Sequence, residues 1–356
     1  MHFAQGEVPL RYTRYIERKC LFIVAGLLLL AAAVLVSISQ GAVAIPLSDV
    51  VRSLIGAGAD ARNDIIIWNI RLPQALAAVA AGGGLAVSGA VMQSILRNPL
   101  GSPYTLGISQ AAAFGAALAV MVFNTGVMAS TQVGAVTISQ PIFTTATAFV
   151  FCLTAAAVII AISRLRGASP ETMILTGVAL GALFTAGTMF LQFFADDVQL
   201  AAMVFWTFGD VGRASWSELG LFSGVTALSA AYFLINSWNY NAVDAGDETA
   251  QGLGVRVERV RLIGMLVASL VTAVIVAFLG IIGFVGLVCP HMVRRLIGGD
   301  HRYLLPATVI VGGFLLLVSD TVARLIIAPH LLPVSILTAF MGAPAFIYLL
   351  IRGYRR

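Results

Sequence analysis

The sequence predicts an all-α integral membrane protein of about ten spanning helices, and three observations carry that prediction. The chain of 356 residues is 59% apolar and only 10% charged, with a mean hydropathy of +0.96. Soluble domains carry roughly a quarter of their residues charged, so water does not solvate most of this surface. The apolar residues also collect into runs with almost no charge, and inside hydrocarbon such runs are helices that satisfy their own backbone groups. Finally, the basic residues are distributed among the loops as a single topology requires.

Taken in order, the runs fall at about 20–39, 71–93, 103–123, 141–163, 171–195, 216–235, 259–282, 283–297, 303–323 and 333–351. The first follows Arg11, Arg14, Arg18 and the only lysine, Lys19, and GAVA at 41–44 resembles a signal-peptidase site. A secretory signal has an apolar core of ~7–15 residues. This run is longer, so it reads as an uncleaved first span behind a cytoplasmic tail, 1–19. The second run contains AAVAAGGGLAVSGAVMQ (77–93) and the fifth TGVALGALFTAGT (176–188). Small residues four apart let helix backbones approach closely in lipid. GGGLAVSG has no strand before it and is no nucleotide-binding fingerprint. The seventh and eighth runs are separated only by LGIIGFVGL (279–287), whose glycines permit a tight reversal. The eighth is the shortest and holds Pro290, so a tilted or broken helix is expected there. Residues 20–356 therefore read as one transmembrane domain.

Ten crossings place sixteen basic residues on the side of the N-terminus and five (Arg52, Arg62, Arg71, Arg213 and Arg324) on the other. That is the positive-inside bias. The sixteen acidic residues split eight and eight, as they do when only Lys and Arg carry the orientation signal. Without the eighth run as a crossing, the basic C-terminus would move outside.

The net charge of +5 is explained by basic cytoplasmic loops and implies no nucleic-acid partner. Cys20, Cys152 and Cys289 are far apart and odd in number, with no disulfide framework and no metal spacing. A phosphate-cradling Walker loop needs Gly-Lys-Ser/Thr, and the only lysine precedes Cys20, so the chain is no ATPase by itself. Neither a HExxH nor a CxxC pair is present, and the Cys289-Pro290-His291 cluster reads as packing rather than a metal site. No catalytic residue and no metal site are expected, and the chain is not expected to be an enzyme. Glu171, Asp196, Asp197 and Asp320 lie at the ends of runs rather than at mid-span, which disfavours the alternative of an ion-coupled secondary transporter.

The loop NYNAVDAGDETAQGLGVRVERVR (239–261) is the longest polar stretch on the inner side. Asp244 reads as the N-cap of a short helix with Asp247 and Glu248 in its first turns, ended by Gly252 or Gly254. Such a helix has no core of its own and must dock on something.

Several stretches then carry a resemblance in their order along the chain: WNIRLPQ (68–74), SGAVMQSILRNPLGSPYTLGIS (88–109), ILTGVALGALF (174–184), GDETAQGLGV (246–255), IIGFVGLVCPHMVRRLIGGDHRYLLP (281–306), VSDTVAR (318–324) and LPVSILTAFMGAPAFIYLL (332–350). With them the chain resembles the FecCD-type permeases, membrane subunits of ABC importers for ferric siderophores, haem and cobalamin. The resemblance implies the type II ABC importer permease architecture, with ten spans and alternating access through a homodimer or pseudo-dimer. It further implies two separate ATPase subunits, which use ATP and Mg while this chain binds no cofactor, and an external substrate-binding protein. The implied cargo is a metal chelate, a ferric siderophore first, with haem or cobalamin next. The implied location is a bacterial or archaeal cytoplasmic (inner) membrane, with both termini inside. Residue by residue, Asp247, Glu248, Ala250, Gly252, Leu253 and Gly254 match the loop that docks into the ATPase. Asn98 and Leu100 match a cytoplasmic gate, as do Ser169 and Pro170. Arg71 and Arg324 match outside arginines that pair with glutamates of the binding protein. Where the family often has a second arginine, this chain has Gln74, so one docking charge is missing unless Arg52 or Arg62 compensates.

Overall fold

The computed structural model describes residues 10–41, 43–58, 60–124, 126–128, 136–138, 141–327 and 332–353. Residues 1–9 of the expected tail, Ala42 of GAVA and the terminal residues 354–356 lie outside the described residues. The chain opens with α1 (Leu10–Ser39), followed by α2 (Leu47–Leu54) and α3 (Ala61–Ile66). A π-turn over Ile67–Arg71 feeds α3 into α4 (Leu72–Ile95), and α5 (Ile108–Phe123) follows. Next come α6 (Pro141–Leu165), α7 (Pro170–Phe194), α8 (Asp197–Thr207) and α9 (Trp216–Ile235). Two short helices, α10 (Ser237–Asp244) and α11 (Asp247–Gly252), precede α12 (Val257–Leu279), α13 (Val285–Ile297), α14 (His301–Ile326) and α15 (Val334–Gly353). A two-stranded antiparallel ribbon, β1 (Gly126–Met128) with β2 (Val136–Ile138), is the one departure from an all-α chain among the described residues. It lies between α5 and α6, outside the spans.

Each expected run corresponds to one helix. Among the described residues, seven helical segments are long and apolar enough to cross a membrane, and the shorter α5, α13 and α15 correspond to the other three runs. The centre is α4, which packs against α14, α12, α13 and α9. It is buried without interruption from Ala81 to Ile95. Its glycines make this possible. A Cβ on Gly82 would strike the carbonyl of Gly312 on α14, and one on Gly89 would strike the carbonyl of Gly286 on α13.

The eighth run folds in two parts. Helix α13 has 13 residues, about 20 Å at 1.5 Å per residue, short of a ~30 Å hydrocarbon core. Residues 280–284, which are not helical, supply the rest. Gly280 turns the chain with φ +79, and Phe284 starts α13 with φ +66. The expected reversal is there, but one of its two left-handed positions is an aromatic residue.

Contacts between distant segments sort the loops into two faces. On one, the Tyr15 hydroxyl approaches Gly298, Lys19 lies over the Tyr15 and Tyr303 rings, and Arg302 lies over Trp238. On the other, Arg71 binds carbonyls at the end of α1, Arg324 meets Ser37, Trp216 donates to the Trp68 carbonyl, and Val334 donates to Gly209. Trp68 and Trp216 stack half-exposed at 6.5 Å, as indoles do at a membrane–water boundary. The grouping agrees with the division of basic residues read from the sequence.

Candidate coupling and gating site

The polar stretch 239–261 folds as two helices rather than one. Asp244, expected as an N-cap, is instead the last residue of α10, and Gly246 (φ +118) precedes α11. The correction has a local cause. A carboxylate before a helix and one closing the previous helix look alike in sequence when a single glycine-bearing turn separates the two. The expected stop holds: Leu253 caps α11, and Gly254 (φ +82) turns the chain away.

Asp244 is held from three directions. The Ser94 hydroxyl on α4 donates to its carboxylate at 2.7 Å, Arg294 of α13 lies at 3.6 Å, and His301 Nδ1 at 3.8 Å. Behind it, Asn241 donates to Asp300 at 3.1 Å and accepts from the His301 backbone N–H at 2.9 Å. Asp300 caps α14. Burial alone would raise its carboxyl, but hydrogen bonds from Arg302 and Asn241 outweigh that and hold it at about 2.

The docking segment is tied to α4 by Arg261, a guanidinium only 3% exposed. Its Nε donates to the Ile95 carbonyl at the end of α4 (2.9 Å), and its Nη2 donates to Asp247 at the start of α11 (2.7 Å). Arg97, in the turn after α4, lies 3.8 Å from the same Asp247 oxygen. Of the six expected docking residues, Glu248, Gly252, Leu253 and Gly254 are exposed. Ala250 is fully buried among Ala242, Val243 and Val257, so it forms the base of α11 instead of a contact surface. Asp247 faces Arg261. The sequence offered one signal for Arg261, a charged residue one turn inside an apolar run, and none for Ser94 or Asn241.

The expected gate residues cap two turns. Asn98 accepts from the Leu100 backbone N–H at 2.9 Å, and Leu100 is 45% exposed. Ser169 caps α7 by accepting from the Thr172 N–H, with Pro170 as the first helical residue. One apolar cluster holding Leu96, Leu106, Ala168 and Met173 joins these turns. Gly107 (φ +78) brings the start of α5 so close to α7 that a Cβ would lie 2.7 Å from the Gly177 carbonyl oxygen.

On the opposite face the two expected docking arginines are occupied inside the fold. Arg71 is 6% exposed and donates to the carbonyls of Ile38 (2.7 Å), Ser39 (3.1 Å) and Val43. Arg324 Nε lies 3.1 Å from Asp320, and its Nη2 donates to Ser37 at 2.8 Å. Gln74 donates to Asp320 at 3.1 Å, so the residue in the family's arginine position serves an internal contact. Arg52 and Arg62 are exposed and carry no ion pair among the described residues. Arg71→Leu is expected to lower the thermal stability of the purified chain by ~2–3 kcal/mol, since it orphans buried carbonyls. A melting temperature equal to the unmodified chain's would show that this clamp contributes nothing.

With this geometry in place, the comparisons with known proteins are specific. The FecCD transport family matches residues 28–352. A chain of Methanocaldococcus jannaschii assigned to the ABC transporter permeases is 53% identical over 98% of this chain and 99% of its own length. The hemin transport system permease protein of Yersinia pestis is 38% identical over 80% of this chain and 83% of its own. A solved structure of an ABC transporter assigned to the metal-chelate type, in an inward-facing conformation, superposes with a TM-score of 0.80 at 30% identity. It covers 94% of this chain and 99% of its own. The chain belongs to the FecCD transport family, whose members are permease subunits of ABC transporters and not catalytic enzymes.

Proposed function

We propose that the chain is the membrane-spanning permease of an ABC importer for a metal chelate, with a ferric siderophore as first substrate and haem or cobalamin next. It works as a homodimer in a prokaryotic cytoplasmic membrane, with two ATPase subunits beneath and a substrate-binding protein outside. The observation that carries this reading is the tether through Arg261. An exposed short helix, α11, is pinned through Asp247 to the end of α4, where the turn bearing Asn98 and Leu100 begins. A pull on α11 therefore reaches that turn within one side chain. Alternating access needs only that ATP-bound and ATP-free partners favour different positions of α11, because a ligand shifts a conformational equilibrium by its differential affinity for the two states.

Outside, Arg71 shapes the docking platform by holding the chain after α1, and Arg324 retains 13% of its side chain exposed beside it. Arg52 on α2 and Arg62 on α3 add the free guanidinium groups that an acidic binding protein meets. Complementary charge of this kind steers encounter more than it adds affinity.

The test is uptake of an iron-loaded siderophore into proteoliposomes holding the permease, its ATPase and its binding protein. Uptake is expected to require internal ATP and to survive ionophores that collapse proton and sodium gradients. Loss of uptake with the gradients would transfer the chain to ion-coupled carriers. Orientation is checked separately. Cysteines at Ala57 and Ala245 in a Cys-free background are expected to label from opposite sides, and labelling of both from one side would overturn the ten-span topology.

A further inference from the structure

Where α6 ends and α12 begins, a cleft of about 730 Å³ opens on the face that carries α11. Its walls include Arg164 at the last turn of α6, Arg256 just before α12, and Arg259 in the first turn of α12. All three arginines are exposed, and none takes part in an ion pair among the described residues. Glu258 is the single carboxylate in the lining, so three positive charges face one negative. A second cleft of about 380 Å³ shares Arg256 and Arg259 and adds the amides of Asn236 and Asn239.

Depth identifies the occupant. Both clefts continue onto Ile263, in the second turn of a helix that spans the membrane, and the larger also reaches Leu262. Ile263, in the lining of both clefts, is 37% exposed; outside the linings, Leu165 next to Arg164 and Leu266 one turn deeper on α12 are 85% and 48% exposed and extend the apolar surface. Unpaired guanidinium groups above an exposed apolar wall match a molecule with an anionic head and a hydrocarbon tail. Soluble protein carboxylates would satisfy the head but leave the wall bare. Guanidinium forks suit phosphate oxygens, and basic pockets between helices at headgroup level hold anionic lipids.

We infer that this cleft binds the phosphodiester headgroup of an anionic membrane lipid, with Arg164, Arg256 and Arg259 as its ligands and α12 as the track for its chains. The assignment of the cleft to the cytoplasmic leaflet rests on the orientation proposed above; the lipid chemistry does not. Because Arg256 follows directly on the docking segment, an occupied cleft also props the base of α11.

The test measures lipid retention by the full-length permease, purified alone so that the result is independent of any ATPase. The protein is passed through nanodiscs of phosphatidylglycerol or phosphatidylcholine, delipidated in detergent and analysed by native mass spectrometry. Wild type is expected to keep phosphatidylglycerol and to release phosphatidylcholine. The R164Q/R256Q/R259Q variant is expected to lose retention by on the order of a hundredfold, about fivefold for each guanidinium removed. Arg164→Gln alone, about fivefold weaker, serves if the triple variant does not fold. Inorganic phosphate at millimolar concentration is not expected to displace the lipid. Equal retention of both lipids, or of phosphatidylglycerol by wild type and variant, would overturn the site. So would displacement by free phosphate.

Discussion

Arg261→Met is expected to leave the permease inserted and folded while cutting uptake per ATP hydrolysed by about 5–150-fold, the range of ordinary coupling free energies. Methionine keeps most of the apolar stem and removes the two contacts that depend on charge and direction. The Ile95 carbonyl loses its donor, and Asp247 keeps only the longer contact to Arg97. Breaking a fully buried pair costs ~3–5 kcal/mol. Asp247 is 34% exposed, so water recovers part of that and a loss of ~1–3 kcal/mol is expected here. The folded bundle survives such a loss because its packing lies elsewhere. What fails is transmission, since α11 can then move without α4. The measurement pairs ATP hydrolysis with uptake in the same proteoliposomes. Arg261→Lys should restore part of the coupling, and Asp247→Asn added to Arg261→Met should cost little more. An unchanged ratio of uptake to hydrolysis in Arg261→Met would show that Arg261 does not couple.

Gly89→Val is expected to abolish the folded state. The first side-chain carbon at this position would already collide with the Gly286 carbonyl, so the obstacle is backbone against backbone. Overpacking that side chains can absorb costs ~1–3 kcal/mol. Here α4 and α13 would have to separate, opening contacts along both helices. Gly224→Ala on α9 is the control, because its added methyl meets nothing within 4 Å. Expression and melting temperature in detergent separate the two: Gly224→Ala should match wild type, and Gly89→Val should yield no monodisperse protein. A stable Gly89→Val would show that α4 and α13 do not approach as closely as described.

Element positions were legible because hydrocarbon imposes a strong and local rule. The run at 216–235 coincides with α9, and 141–163 falls two residues short of the end of α6. The first helix begins ten residues earlier than its run, at Leu10, since hydropathy does not register the basic turns that precede the bilayer. Helix α8 went unseen for a related reason. With 11 residues it is too short to span, and its capping box at Asp196 and Gln199 is a signal that a search for spans passes over. Within the site, local chemistry was readable and long-range partnership was not. The Gly254 stop follows from one residue's conformational freedom. That Ala250 points inward depends on Val257 packing beneath it. That Gln74 serves Asp320 depends on a contact across 246 residues, and no spacing rule reaches so far.

The cluster of Gln74, Asp320 and Arg324 has a consequence for energetics under a membrane potential. Moving one elementary charge through the full field is worth about 2.3 kcal/mol per 100 mV. An arginine in place of Gln74 would make this cluster cationic, and any rocking of the outer ends of α4 and α14 would then do electrical work. With glutamine there, the guanidinium of Arg324 and the carboxylate of Asp320 cancel, and the amide adds hydrogen bonds without charge. Displacement of these three side chains therefore moves no net charge, and the electrical work of rocking this end of the bundle is left to Arg71, which directly precedes α4.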